Sequence, residues 1–99
     1  MRTRETGIYF MKRFKVIYKN LKKAWGYADL QNNEVHMDQK AKGKKHMEII
    51  IHECLHLLWQ DETEEEIVRK SIMITNTLWY EKYRRVDDRN DLPLQDGTK

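Results

Sequence analysis

One cysteine, Cys54, and one proline, Pro93, are all that this 99-residue chain holds of either residue. A lone cysteine cannot close an internal disulfide, so no disulfide framework stands in for a core, and a reducing cytoplasm fits best. Cys54 itself reads as a small buried hydrophobe rather than a ligand. Long apolar runs are also missing. The richest stretch, Met47 to Trp59, is broken by polar residues and too short to cross a bilayer, so no membrane partner is expected. The arginines near the N-terminus are followed by no apolar segment, and no signal peptide is expected. Internal repeats are not apparent, and nothing resembles a helix-turn-helix, a cysteine-rich finger or an RNA-binding signature.

What the chain does have is charge. With 35% charged and 39% hydrophobic residues, it reads as one small domain whose core is thin. The formal net charge is +3. Lys12, Arg13, Lys15, Lys19, Lys22 and Lys23 cluster in the first half, followed by Lys40, Lys42, Lys44 and Lys45. Such clusters can draw nucleic acid or an acidic partner weakly, and a merely solvated surface is the competing reading.

Residues 1–12 read as a flexible leader, with Met11 a candidate natural start. Arg13 to Tyr18 alternates charged and apolar residues around Phe14, Val16 and Tyr18, which is a strand signal. Trp25 to Leu30 reads as a second strand, Gln31-Asn32-Asn33 as a turn, and Glu34 to Asp38 as a third strand. A helix is expected from about Lys44 to Trp59, with Met47, Ile50, Ile51, Cys54, Leu55 and Leu58 on its core face. After a polar break at Gln60 to Glu62, Thr63 and Glu66 form a capping box opening a second helix. That helix runs through Ile67, Ser71, Ile74 and Leu78 and fades near Arg84 or Arg85. Residues 87–99 read as a loose polar tail. The expected fold class is α+β over 13–86: a small antiparallel sheet packed on the first helix and on a second, long helix.

Within the first helix, His52-Glu53-Cys54-Leu55-His56 matches the HExxH pattern. Residues four apart share a helix face, so both imidazoles can grip one ion. Glu53 lies beside them, placed to act as general base toward a water on that ion. Ile49, His52, Glu53 and His56 fall on a face adjoining the core face. An amphipathic helix with two idle histidines is the bland alternative.

A catalytic zinc generally takes three protein ligands and leaves the fourth position to water. The acidic run Asp61 to Glu66 follows closely, although acids in a first helical turn also simply complement the dipole. The inward stripe Ile67, Ser71, Ile74 extrapolates back to Glu64. Glu65 points about a hundred degrees away, and Glu66 is expected to close the capping box. Glu64 is the third metal ligand expected, with Glu65 in reserve. His36 and His46 compete as ligands but read better as surface histidines. Asp61 or Glu62 is a candidate to brace a ligating imidazole.

These segments resemble the short zincin-like metallopeptidases of phages and bacteria, which are related to ImmA/IrrE-type peptidases. The likeness runs from about Trp25 to Leu78. It rests on Trp25 to Asp29 with Asn33 to Asp38, then on His52 to His56 with Thr63 to Val68. The related peptidases place a ligating glutamate three residues before a small or apolar helix position, as Glu64 stands before Ile67. The resemblance implies a minimal zincin-like fold, gluzincin-like chemistry, one zinc ion per chain and a peptide or protein substrate. For a phage-encoded chain, it also implies the host cytoplasm. The expected reaction is peptide-bond hydrolysis by a zinc-bound water that Glu53 activates. Tyr27, Tyr80 or Tyr83 could assist the oxyanion, and strand Glu34 to Asp38 could align a substrate strand if it forms the sheet edge. The alternative is a catalytically weak or inactive zinc-binding module whose basic face holds a protein or nucleic-acid partner.

Overall fold

The computed structural model describes residues 12–86; the leader up to residue 11 and the tail 87–99 lie outside the described residues. Three strands and two helices follow in the order β1 (Lys15–Lys19), β2 (Gly26–Asp29), β3 (Glu34–Asp38), α1 (Gly43–Leu58) and α2 (Glu64–Tyr80). The class is α+β, and each element lies within a few residues of its expected place. Among the described residues, no helix is long and apolar enough to cross a membrane.

The sheet is mixed, with strand order β1-β3-β2, which corrects the expectation of an all-antiparallel sheet. β2 and β3 form an antiparallel hairpin in which Tyr27 faces His36 and Ala28 faces Val35. The turn suits its residues: Asn33 adopts a left-handed φ of 56°, and the Asp29 carboxylate accepts hydrogen bonds from the backbone and side chain of Asn32. β1 instead pairs parallel to β3, Val16 beside Val35 and Tyr18 beside Met37. The connector after β1 has to pass two strand spacings, about 9.6 Å, to start β2 on the far side. It crosses over the end of β3, where Asp38 N–H donates to the Trp25 carbonyl and Gln39 N–H to that of Lys19. Strand alternation says nothing about such a crossing, because it fixes faces and not neighbours.

Val35 and Met37 point to one face of β3 and are wholly buried with Ala41, Ile49 and Leu57. Full burial of a side chain such as Met37 or Leu57 is worth about 1.5–3 kcal/mol. The sheet-facing row of α1 is therefore Ile49, Glu53 and Leu57. Leu58, expected in the core, is exposed, while Leu55 is buried and Cys54 packs beside the core cluster. α1 is covered from two directions, by the sheet and by α2, so its apolar residues spread around the cylinder instead of lining one stripe.

Thr63 caps α2, its Oγ1 accepting from Glu66 N–H at 3.2 Å. Only this half of the capping box forms. The Glu66 carboxylate turns outward to Arg69 at 2.6 Å and Lys70 at 3.4 Å, because two nearby cations outbid one backbone amide. The inward row of α2 is Ile67, Ser71 and Thr75, whereas Ile74 is exposed. Ser71 donates to the Val68 carbonyl, and the small Ser71 and Thr75 side chains let α2 lie close to its neighbour. The α2 helix ends at Tyr80, a turn before the expected fade.

Gly26 sets how near α1 comes to the sheet. A Cβ there would meet the His36 carbonyl oxygen and Ile49 Cγ2, each at 2.9 Å. One of these obstacles is backbone, so it cannot swing aside. Gly26→Ala should therefore lower stability by about 1–3 kcal/mol, read as a shift in the urea midpoint at unchanged slope.

Candidate metal centre

Helical geometry builds the first half of the site. His52 and His56, one turn apart on α1, bring their rings to 4.8 Å between centroids, edge to face. The second half comes from the first residue of α2. Glu64 reaches back so that Oε1 lies 2.7 Å from His56 Nε2 and Oε2 lies 3.2 Å from His52 Nε2. One donor atom from each of the three residues falls within 4.8 Å of the others. The arrangement spans the short break between the helices, which Thr63 terminates by capping α2.

The donor set can hold a metal ion. Two imidazole nitrogens and a carboxylate oxygen suit zinc, whose tetrahedral bonds of about 2.0–2.1 Å place its ligand atoms roughly 3.3 Å apart. The two Glu64–imidazole spacings, 2.7 and 3.2 Å, need to widen by roughly 0.6 and 0.1 Å to meet that. Burial drives the His52 pKa down, aided by His56 and opposed by Glu64, which favours the neutral imidazole that binds metal.

Glu53 lies on the neighbouring face, only 8% exposed, beside Gly26. Burial pushes its carboxyl up to about 6, the Glu64 charge adds to that, and His56 pulls the other way. A carboxylate so placed is a better base than an ordinary glutamate. Its Cγ lies 3.8 Å from where a Gly26 Cβ would stand, so the helix that carries it sits against β2.

The remaining expected residues fall elsewhere. Glu65, Asp61 and Glu62 stand outside the convergence, and Glu62 instead accepts from Lys70 Nζ at 2.7 Å. His36 and His46 are not surface histidines: both are 6% exposed. His46 Nε2 is hydrogen-bonded to Tyr18 Oη at 2.9 Å. His36 faces the side of the sheet away from α1, with the Tyr27 ring stacked on it at 4.7 Å. With Asp29 and Glu34 it forms a second trio. There Nε2 donates to Glu34 at 3.1 Å, while Nδ1 is buried without a partner. Coordination through Nε2 would move the ring proton to that orphaned Nδ1, where no acceptor waits, so the trio is better satisfied by the Nε2–H hydrogen bond to Glu34.

None of the three tyrosines serves the His52/His56/Glu64 centre. Tyr27 Oη accepts from Lys19 Nζ on the far face of the sheet, and Tyr83 lines a different cavity. Tyr80 stands sixteen residues beyond Glu64, about 24 Å along the helix. Of the basic residues, Lys19 is thus engaged with Tyr27, and Lys45 lies over the Trp25 ring.

The centre opens into a cavity of about 360 Å³, lined on one side by Ala28 and Leu30 and on the other by Gln60. Gln60 follows His56 by four residues, so the spacing that pairs the histidines also marks it. Strand β3 is central, so the condition on which it could align a substrate strand is not met; β2, beside the centre, is one of the two edge strands. No family model, no curated protein and no solved structure matches the chain.

The raised Glu53 carboxyl has a measurable consequence in metal-free protein. Between its ordinary value of 4.5 and about 6, the folded state holds more protons here than the unfolded state. Stability from this group therefore falls as pH rises through that window, and the loss is complete above it. Glu53→Gln should gain stability over wild type at pH 7.5 and lose most of that advantage at pH 4.5, as urea midpoints would show. An equal difference at both pH values would contradict the burial argument.

Proposed function

We propose that the chain is a small zinc-dependent metallopeptidase in which His52, His56 and Glu64 hold the ion and Glu53 is the general base. The observation that carries this reading is the meeting of both imidazoles on the Glu64 carboxylate, with a buried glutamate at their side. The likeness of the His52 to His56 and Thr63 to Val68 segments to short zincin-like metallopeptidases points the same way.

Zinc held by this set supplies Lewis acidity, which polarises a carbonyl and makes water a stronger acid. The protein residues divide the remaining work. Glu53 takes a proton from the attacking water and delivers it to the departing amine, a role that its raised pKa suits. Among the described residues β2 pairs only with β3, which leaves its outer edge for an extended substrate strand next to the centre. Leu30, half exposed at the cavity wall, offers an apolar contact to a substrate side chain. The free Cys54 suits a reducing cytoplasm, including that of a host if the chain is phage-encoded.

A second reading is a zinc-binding module with weak or no turnover, engaging a protein or nucleic acid through its basic face. Two observations favour it: the Glu64 side chain is 66% exposed, and the Tyr27 hydroxyl is engaged by Lys19. Digestion of a mixed peptide library, with and without chelator, separates the two. The peptidase reading expects chelator-sensitive cleavage, and Glu53→Gln should retain zinc while losing about 10²–10⁴-fold in rate. Undiminished cleavage by Glu53→Gln would refute the base role. No cleavage by zinc-loaded wild type would leave the module reading.

A further inference from the structure

A second cavity, about 380 Å³, lies between the N-terminal half of α1 and the C-terminal end of α2. It shares no residue with the His52/His56/Glu64 centre. Its floor is apolar, formed by Met47, Ile50, Ile51 and Leu78, and its volume holds roughly a dozen water-sized groups. Its rim is cationic. Arg84 stacks on Trp79 with its guanidinium 3.5 Å from the ring centre, anchored through Nη1 to the Trp79 and Tyr83 carbonyls. Arg85 lies over the Tyr18 ring at 5.1 Å, and Tyr18 in turn holds His46.

Among the described residues no acidic side chain lines this cavity and neither arginine pairs with a carboxylate. The positive end of α1 opens at the same place. Trp79 lies over Gly43, the first residue of α1, at 3.8 Å from where a Cβ would stand. Lys42 makes no side-chain cap bond, and no acid occupies the first turn of α1. The crowding of positive charge is felt locally: burial first, then Arg85 and Lys42, hold the His46 pKa down. Helix termini ordinarily attract the opposite sign, so a basic residue set around an uncapped N-terminus leaves a net demand for an anion. The apolar floor demands a hydrocarbon body at the same time.

We infer that this groove binds an apolar carboxylate, its hydrocarbon body on Ile50, Ile51 and Leu78 and its anionic head between Arg84, Arg85 and the start of α1. The chemistry is the same whether the carboxylate is a free single-chain acid or ends a polypeptide with an apolar last residue.

The test is an amide-shift titration of the ¹⁵N-labelled full chain with decanoate, decanol and decyltrimethylammonium, each kept below its micelle concentration. Decanoate should saturate, bind at least tenfold tighter than decanol, and move Gly43, Ile50 and the Trp79 indole most. The cationic analogue should not bind. In Arg84→Gln/Arg85→Gln the tenfold preference should vanish while decanol binding persists, which shows the cavity intact. Acetyl-Ala-Ala-Leu with a free carboxylate, compared with its amide, distinguishes the sources: a preference for the acid places the ligand at a polypeptide end. Equal binding of decanoate and decanol, or shifts centred on the exposed Met73 and Ile74 of α2, would overturn the inference. So would ligand-free shifts at these residues that grow with protein concentration, since a second copy would then fill the groove. The outcome does not depend on zinc, so it is independent of the peptidase reading.

Discussion

At Gly26 the backbone of β2 lies so near α1 that a methyl group would sit 2.9 Å from both a carbonyl oxygen and a side-chain carbon of Ile49. That approach sets the height of the helix above the sheet. It brings Ile49 and Leu57 onto Val35 and Met37, and it buries Glu53 between them on the same helix row. Glu53 rides on the helix that this approach seats against the sheet, and its burial there raises its pKa. The proposed general base and a packing contact thus depend on the same geometric fact.

The second constraint is electrostatic. Glu64 fixes the start of α2 against α1 through two imidazoles, in a protein whose fully buried apolar set is small. In a chain of this size, an ion bound by three residues from two helices adds its binding energy to the stability of the fold. Thr75 shows how little surplus there is: its hydroxyl is buried at the helix interface with no partner, a burden of about 1–3 kcal/mol.

The motif helix and the convergence of His52, His56 and Glu64 were legible because both rest on local periodicity. Four-residue spacing joins His52 to His56, and a three-residue step from Ile67 reaches Glu64. Glu64 does stand beside both imidazoles although Ile74 is exposed, since Ile67 and Ser71 alone define the direction. What could not be read is nonlocal. The parallel pairing of β1 with β3 depends on where the connector crosses, and it puts β3 at the centre of the sheet. His36 and His46 are buried because tyrosines on neighbouring strands cover them, an arrangement no spacing within one element encodes. Glu66 abandoned the capping box for Arg69 and Lys70, a competition among side chains that the motif alone does not rank.

The claim on which the account stands is that Glu64, rather than its neighbour, completes a zinc site with His52 and His56. Elemental analysis and zinc titration of wild type, His56→Ala, Glu64→Ala and Glu65→Ala test it directly. The account predicts about one zinc per chain in wild type and Glu65→Ala, with loss or strong weakening in the other two. Wild type that takes up no zinc after reconstitution, or Glu64→Ala that binds it as tightly as wild type, would contradict the account.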